Sequence, residues 1–260
     1  MTTMRGRVLN GELMVGTFGG LSPSALEVMA NAGFDFVCLD AEHSPHDRAV
    51  LEHLIRAAEI AKTPPMVRVP GHGAEAIAGA LDSGAQAILV PRVNNAPEAA
   101  AVVSAFRYPP QGKRGAGPGR STLYGAAVME YVAKANDSLM LAVQVESAEA
   151  VENLESIVKV EGIDLIFIGP GDLSISLGLT RAEDQEKLTA TIRHIVFICR
   201  AAAMPVGLFR LSPADLESWL AAGVTFFIIG SDGIFLSNGA AACAKAAREA
   251  TTRHAHGASA

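Results

Sequence analysis

Residues 81–93 read LDSGAQAILVPRV. A helical pattern ends on Ser83-Gly84, an uninterrupted apolar run follows over 87–90, and Pro91 closes it. Glycine at the end of a helix takes the left-handed cap that turns the chain toward the next element. A continuous apolar run suits a parallel strand covered on both faces. The unit recurs, because Ala32-Gly33 and Ala222-Gly223 also stand before apolar runs. The spacing predicts strands at 13–18, 34–39, 65–69, 87–90, 139–145, 164–168, 204–208 and 225–229. Amphipathic stretches at 22–32, 47–61, 96–106 and 183–203 lie between them, with Ser22, Asp47 and Ser147 placed as N-caps. Eight such units in series favour a closed (β/α)8 TIM barrel, a single domain, over an open sheet. No G-x-G-x-x-G follows the first strand to suggest a dinucleotide fold.

A chain of 260 residues, half of them hydrophobic, fits one barrel and can bury its core without disulfides. The formal net charge of −6 argues against a nucleic-acid partner, since no basic stripe exists to neutralise phosphates. A small anionic substrate stays open, because a few local cations override a modest global charge. Cys38, Cys199 and Cys243 lie in apolar stretches without metal-type spacing and are expected to be small buried hydrophobes. No signal peptide is recognised and no apolar run reaches the roughly 18 residues of a membrane span, so a soluble cytoplasmic protein is expected. The barrel domain is set at 1–250, and 251–260, with His254 and His256, reads as a frayed tail. The irregular stretch 108–125 carries five glycines, three prolines, Lys113, Arg114 and Arg120. It reads equally as a surface insertion or as an active-site or subunit-contact loop.

In such a barrel, polar groups at the carboxyl ends of strands point into the mouth. Those positions hold Asp40, Glu42 and His43, then Arg68, Gln144 and Glu146, then Gly169-Pro170-Gly171-Asp172, then Phe209 and Arg210. Glu146 and Asp172 end neighbouring strands, and two unshielded carboxylates would drive one to protonate unless a cation joined them. Two carboxylates, waters and a chelating 2-oxo acid complete an octahedron suited to Mg2+, Mn2+ or Co2+. The alternative is a carboxylate salt-bridged to Arg68 or Arg210. His43 is the candidate base, with Asp40 or Asp82 available to fix its tautomer. Arg68 offers a permanent charge to a carboxylate or an enolate oxygen, or serves Asp40 or Glu42 as counter-ion. In 169–172 the glycines admit a ligand close to the backbone, and the N–H groups of Gly171 and Asp172 face an anion. None of the six lysines falls at a predicted strand end, so Schiff-base chemistry is not expected.

Several ordered motifs resemble those of the class II pyruvate aldolases of the HpcH/HpaI family. They are LDAEHSP (39–45), VRVP (67–70), LDSGAQAILVPRV (81–93), RYPPQGKRG (107–115), VQVES (143–147) and EGIDLIFIGPGDLS (161–174), spread over nearly the whole chain. The resemblance implies a carbon–carbon lyase that joins pyruvate or hydroxypyruvate reversibly to an aldehyde through a metal-stabilised enolate. It implies that Glu146 and Asp172 hold the metal and that His43, oriented by Asp40 and Asp82, handles protons. Arg68 would stabilise the enolate, the Gly171 and Asp172 amides would bind the substrate carboxylate, and Gln144 would line the site. Hexamers built as trimers of dimers, with the C-terminal helix exchanged between neighbours, are implied as well. An acyl-CoA lyase of the citrate-lyase β-subunit type is the alternative within the same metal chemistry. A non-catalytic binding barrel is the alternative outside it, although a pure binder has no use for a poised base. Three departures from the family pattern bear on the aldehyde. Phe209 replaces a smaller leucine and is expected to narrow the acceptor side, Arg92 replaces an apolar residue, and GPGRSTLYG (117–125) differs.

Overall fold

A computed structural model describes residues 3–257. Eight strands, β1 (Met14–Gly19), β2 (Phe36–Asp40), β3 (Pro65–Arg68), β4 (Ala87–Val90), β5 (Met140–Val145), β6 (Leu165–Ile168), β7 (Val206–Arg210) and β8 (Phe226–Ser231), pair in parallel, each with the next. Pairing of β8 with β1 closes the barrel. The strands fall on the apolar runs, with ends displaced by at most two residues.

A short helix, α1 (Met4–Leu9), precedes the barrel. Around it stand α2 (Pro23–Ala30), α3 (Arg48–Ile60), α4 (Ala74–Asp82), α5 (Ala96–Phe106) and α6 (Val128–Ser138). The ring continues with α7 (Ala148–Glu152), α8 (Leu154–Ile157), α9 (Pro170–Ser176), α10 (Gln185–Ala201), α11 (Leu216–Ala222) and α12 (Asp232–Gly257). Side chains of Ser22, Asp47 and Ser147 accept the N–H groups of Ala25, Val50 and Ala150, capping α2, α3 and α7.

Strand side chains alternate between two packed layers, as period two requires. Val37, Leu39, Ile88, Val143, Ile166 and Phe227 face the helices. Phe36, Cys38, Met66, Leu89, Phe167 and Phe226 face inward, and Met4 and Val8 of α1 join that inner cluster. A Cβ at Gly16 would lie 2.5 Å from the Phe36 ring, and one at Gly207 2.6 Å from Phe167. Bare backbone on β1 and β7 therefore makes room for large rings, and Phe36 stacks on Phe226 with centroids 4.4 Å apart. The amino end of the barrel is packed solid. Carried toward the carboxyl ends, the same inward parity sets Phe18, Asp40, Arg68, Gln144, Glu146 and Phe209 around the mouth.

Two expectations change, and one open alternative narrows. Cys38 and Cys199 are buried, but Cys243 is exposed on α12. That helix touches the barrel near its start, where Phe235 stacks on Phe34, and every described side chain from Phe235 onward is exposed. It continues through 251–257, the stretch set aside as a tail, while 258–260 and the side chain of His256 lie outside the described residues. The stretch 108–125 packs on the outer wall and not at the mouth, because α5 has carried the chain back toward the amino ends of the strands. There Arg114 is buried against Tyr108 and pairs with Asp82 at 2.9 Å, and Arg120 pairs with Glu59. Among the described residues no helix is long and apolar enough to cross a membrane.

Candidate active site

Asp40 and Arg68 are register partners on β2 and β3, and their side chains meet over the barrel interior. Arg68 donates to both Asp40 oxygens, at 2.9 and 2.7 Å. Burial works to raise the Asp40 carboxyl, but the forked bonds from Arg68 hold it below the usual carboxylate range. Asp40 Oδ1 also accepts the backbone N–H groups of Glu42 and His43, at 3.0 and 3.3 Å, which fixes the turn after β2. The Arg68 guanidinium lies 4.7 Å from the Phe18 ring centroid, and that ring lies 5.7 Å from Phe209. Phe209 therefore faces the mouth on the side of Arg68.

Glu42 is the hub of this wall, with its side chain only 7% exposed. Its carboxylate lies 3.1 Å from Arg92 Nη2, 3.5 Å from Arg68 Nη1 and 3.7 Å from His43 Nε2. Neither Asp40 nor Asp82 contacts the His43 imidazole, contrary to the sequence expectation. Both Asp40 oxygens are taken by Arg68, leaving only backbone contacts to His43. Asp82 ends α4, a helix that leads away from the mouth, and its partners are Arg114 at 2.9 Å and Arg48 at 4.0 Å. Glu42 is the carboxylate beside the imidazole instead, at 3.7 Å, too far for a hydrogen bond. Its position three residues before the loop proline Pro45 gave no sign of this, since ion-pair partners depend on which cations neighbouring strands bring within reach.

The facing wall comes from β5, β6 and α9. Glu146 is buried; its Oε1 accepts the Arg92 backbone N–H at 2.9 Å, and Gln144 Nε2 donates to its other oxygen. Gln144 Oε1 is buried with no partner. Burial, opposed by the Gln144 bond and reinforced by the charge of Asp172, pushes the Glu146 carboxyl up to about 7. Asp172 is exposed in the first turn of α9, where among the described residues no partner is found for the N–H groups of Gly171 and Asp172. Gly169 is required by the packing, because a Cβ there would stand 2.6 Å from Glu146 Oε2 and 2.7 Å from Gln144 Nε2.

The salt bridges weighed as an alternative to a metal are not formed at these carboxylates. Arg68 is committed to Asp40 and Glu42, and Arg210 forks onto Asp215 at 3.0 and 2.5 Å. On the β2–β4 side, two guanidiniums and two carboxylates balance. Among the described residues, Glu146 and Asp172 are left without an ion-pair partner. Hard oxygen donors, an orphaned amide oxygen beside them and a carboxyl driven toward protonation fit a divalent cation of the Mg2+, Mn2+ or Co2+ type. Among the described residues no three His, Cys, Asp or Glu side chains form a cage for an ion. All six lysines lie in helices or loops, outside the strands.

Known proteins resemble this chain in sequence and in fold. Residues 17–239 match the family model described as HpcH/HpaI aldolase/citrate lyase. A 2-keto-3-deoxy-L-rhamnonate aldolase from Klebsiella pneumoniae is 39% identical over 228 residues, covering 86% of this chain and 85% of that protein. The crystal structure of an HpcH/HpaI aldolase/citrate lyase family protein from Burkholderia cenocepacia superposes with a TM-score of 0.90 at 30% identity, covering 95% of this chain and all of that one. The citrate synthase SbnG superposes with a TM-score of 0.86 at 31% identity, covering 96% of this chain and all of that one. Both strand-end walls of the mouth fall within the matched span, and the chain belongs to the HpcH/HpaI aldolase/citrate lyase family.

Proposed function

We propose that this aldolase joins pyruvate, or hydroxypyruvate, reversibly to an aldehyde, using a divalent cation (Mg2+, Mn2+ or Co2+) held by Glu146 and Asp172. The observation that carries the reading is the uncompensated pair Glu146 and Asp172 beside a charge-balanced wall of Arg68, Asp40, Glu42 and Arg92. When bound, the cation supplies the Lewis acidity that lets negative charge develop on the keto oxygen of the 2-oxo acid. The open N–H groups of Gly171 and Asp172 bind the substrate carboxylate, and Gln144 lines the floor. Arg68, held in place by Asp40, turns its remaining N–H groups toward the enolate oxygen. His43, set on Glu42 at the rim, takes the proton of the 4-hydroxyl in cleavage and returns it in addition. Phe209 borders the acceptor side against Phe18. Asp82 has no part within one chain. The reading extends to a cytoplasmic hexamer, a trimer of dimers exchanging α12, and its support is the length of α12 left uncovered.

An enolate-forming enzyme exchanges the methyl protons of pyruvate with D2O even without an acceptor. Proton NMR should show loss of the methyl signal that stops with a chelator and resumes on adding Mg2+, Mn2+ or Co2+. Arg68→Ala should slow it by roughly two to three orders of magnitude, the usual cost of removing one oxyanion partner. Absence of metal-dependent exchange with the wild-type protein would overturn the reading and move an acyl-CoA lyase ahead.

A further inference from the structure

Arg92 takes no part in the proton or enolate chemistry, yet the fold holds it at a cost. Its φ of +54° lies in the left-handed region, where glycine or asparagine sits more easily than a long side chain. Three bonds pin that turn to the site. His72 Nε2 donates to the Pro91 carbonyl at 2.8 Å, the Arg92 N–H reaches Glu146 at 2.9 Å, and the Val93 N–H reaches the Gln144 carbonyl at 3.2 Å. Glycine would meet every one of those backbone requirements. A strained arginine there points to a use for the guanidinium itself.

That side chain is 63% exposed, and its one ion-pair partner among the described residues is Glu42, at 3.1 Å from Nη2. The other Glu42 oxygen lies 3.7 Å from His43 Nε2. One largely buried carboxylate thus pairs with the guanidinium and lies close to the imidazole, so that both stand at the rim. A 2-oxo acid anchored by its carboxylate at the start of α9 presents its reacting carbon toward the opposite wall, from β2, β3 and β4. The aldehyde-derived half, whose hydroxyl His43 serves, then runs past Arg92. The free edge of a guanidinium is a planar fork matched to a carboxylate.

We propose that Arg92 is a specificity-determining residue that recognises a carboxylate at the far end of the aldehyde partner. The enzyme on this view prefers an aldehyde acid to a neutral aldehyde of equal length. The inference rests on the aldolase reading, and the experiment separates the two. Rates with pyruvate are measured for succinic semialdehyde and butanal, using wild type, Arg92→Gly and Arg92→Lys. Glycine keeps the left-handed backbone and the N–H bond to Glu146, so Arg92→Gly removes the guanidinium alone; a thermal melt checks the fold. The ratio of kcat/KM for the anionic over the neutral aldehyde should favour the anion in wild type. It should fall by about ten- to a hundredfold in Arg92→Gly, mainly through KM, with most of it kept in Arg92→Lys. A ratio within twofold of wild type in Arg92→Gly overturns the proposal. Wild-type protein that exchanges pyruvate protons but shows no preference for the anion overturns it too, and leaves the aldolase reading standing. Wild-type protein that exchanges no protons overturns both.

Discussion

A methyl group at position 169 would enter a space already bounded by a carboxylate and an amide. Glu146 cannot swing away, because it is buried and held by the Arg92 N–H and by Gln144. In Gly169→Ala, relief must come from shifting the carboxylate or the β6–α9 turn, at a cost of about 1–3 kcal/mol. Affinity for Mn2+, read by calorimetric titration, should fall about tenfold or more, and Tm should drop. Unchanged values of both would show that the turn relaxes freely. The placement of Glu146 and Arg68 at the mouth was legible because strand-end position and inward parity are both visible in sequence, whereas Asp172 lies past its strand in the first turn of α9. The partners of Asp40 and His43 were not legible, since Arg68 outcompetes an imidazole for Asp40 only through a forked geometry that no spacing reveals. Within one chain, the distance of Asp82 from the mouth follows from its helix. A helix that starts at the mouth and ends on that residue has to deliver it to the other end of the barrel.

Among the elements, α12 stands apart. Helices in proteins draw most of their stability from a packed face, and α12, 26 residues long, touches the barrel only near its start. Its alanine-rich middle, AAACAKAA (240–247), has high intrinsic propensity, but the described side chains from Phe235 onward are exposed. Exchange between neighbours would bury them. Light scattering after size exclusion should find six chains per particle, and a variant truncated after residue 237 should form a smaller species with a lower Tm. A wild-type monomer would dispose of the exchange. The barrel strands were readable from continuous apolar runs, and α2, α3 and α7 from their caps. The far end of α12 was not, because TTRHAHG (251–257) combines poor helix formers with no apolar period.

At the scale of the whole molecule, recurrence of the helix–glycine–strand unit was enough to foresee closure. The stretch 108–125 stayed ambiguous in sequence because glycine and proline content marks irregularity without saying which end of the barrel the chain has reached. That end matters. Phe36, Phe167 and Phe226, backed by Met4 and Val8, seal the barrel below the site. The reaction chamber is therefore blind, with one doorway serving both reactants. Glu146 and Arg68 sit deep, while His43 and Arg92 stand at the rim with side chains 62% and 63% exposed. A molecule seated on the deep residues is trapped behind one seated at the rim. For the proposed reaction this dictates traffic: pyruvate enters first in synthesis, and the aldehyde departs first in cleavage. Pyruvate should then inhibit cleavage competitively against the hydroxy-oxo acid, and the aldehyde noncompetitively. Competitive inhibition by the aldehyde would mean the two passengers can leave in either order.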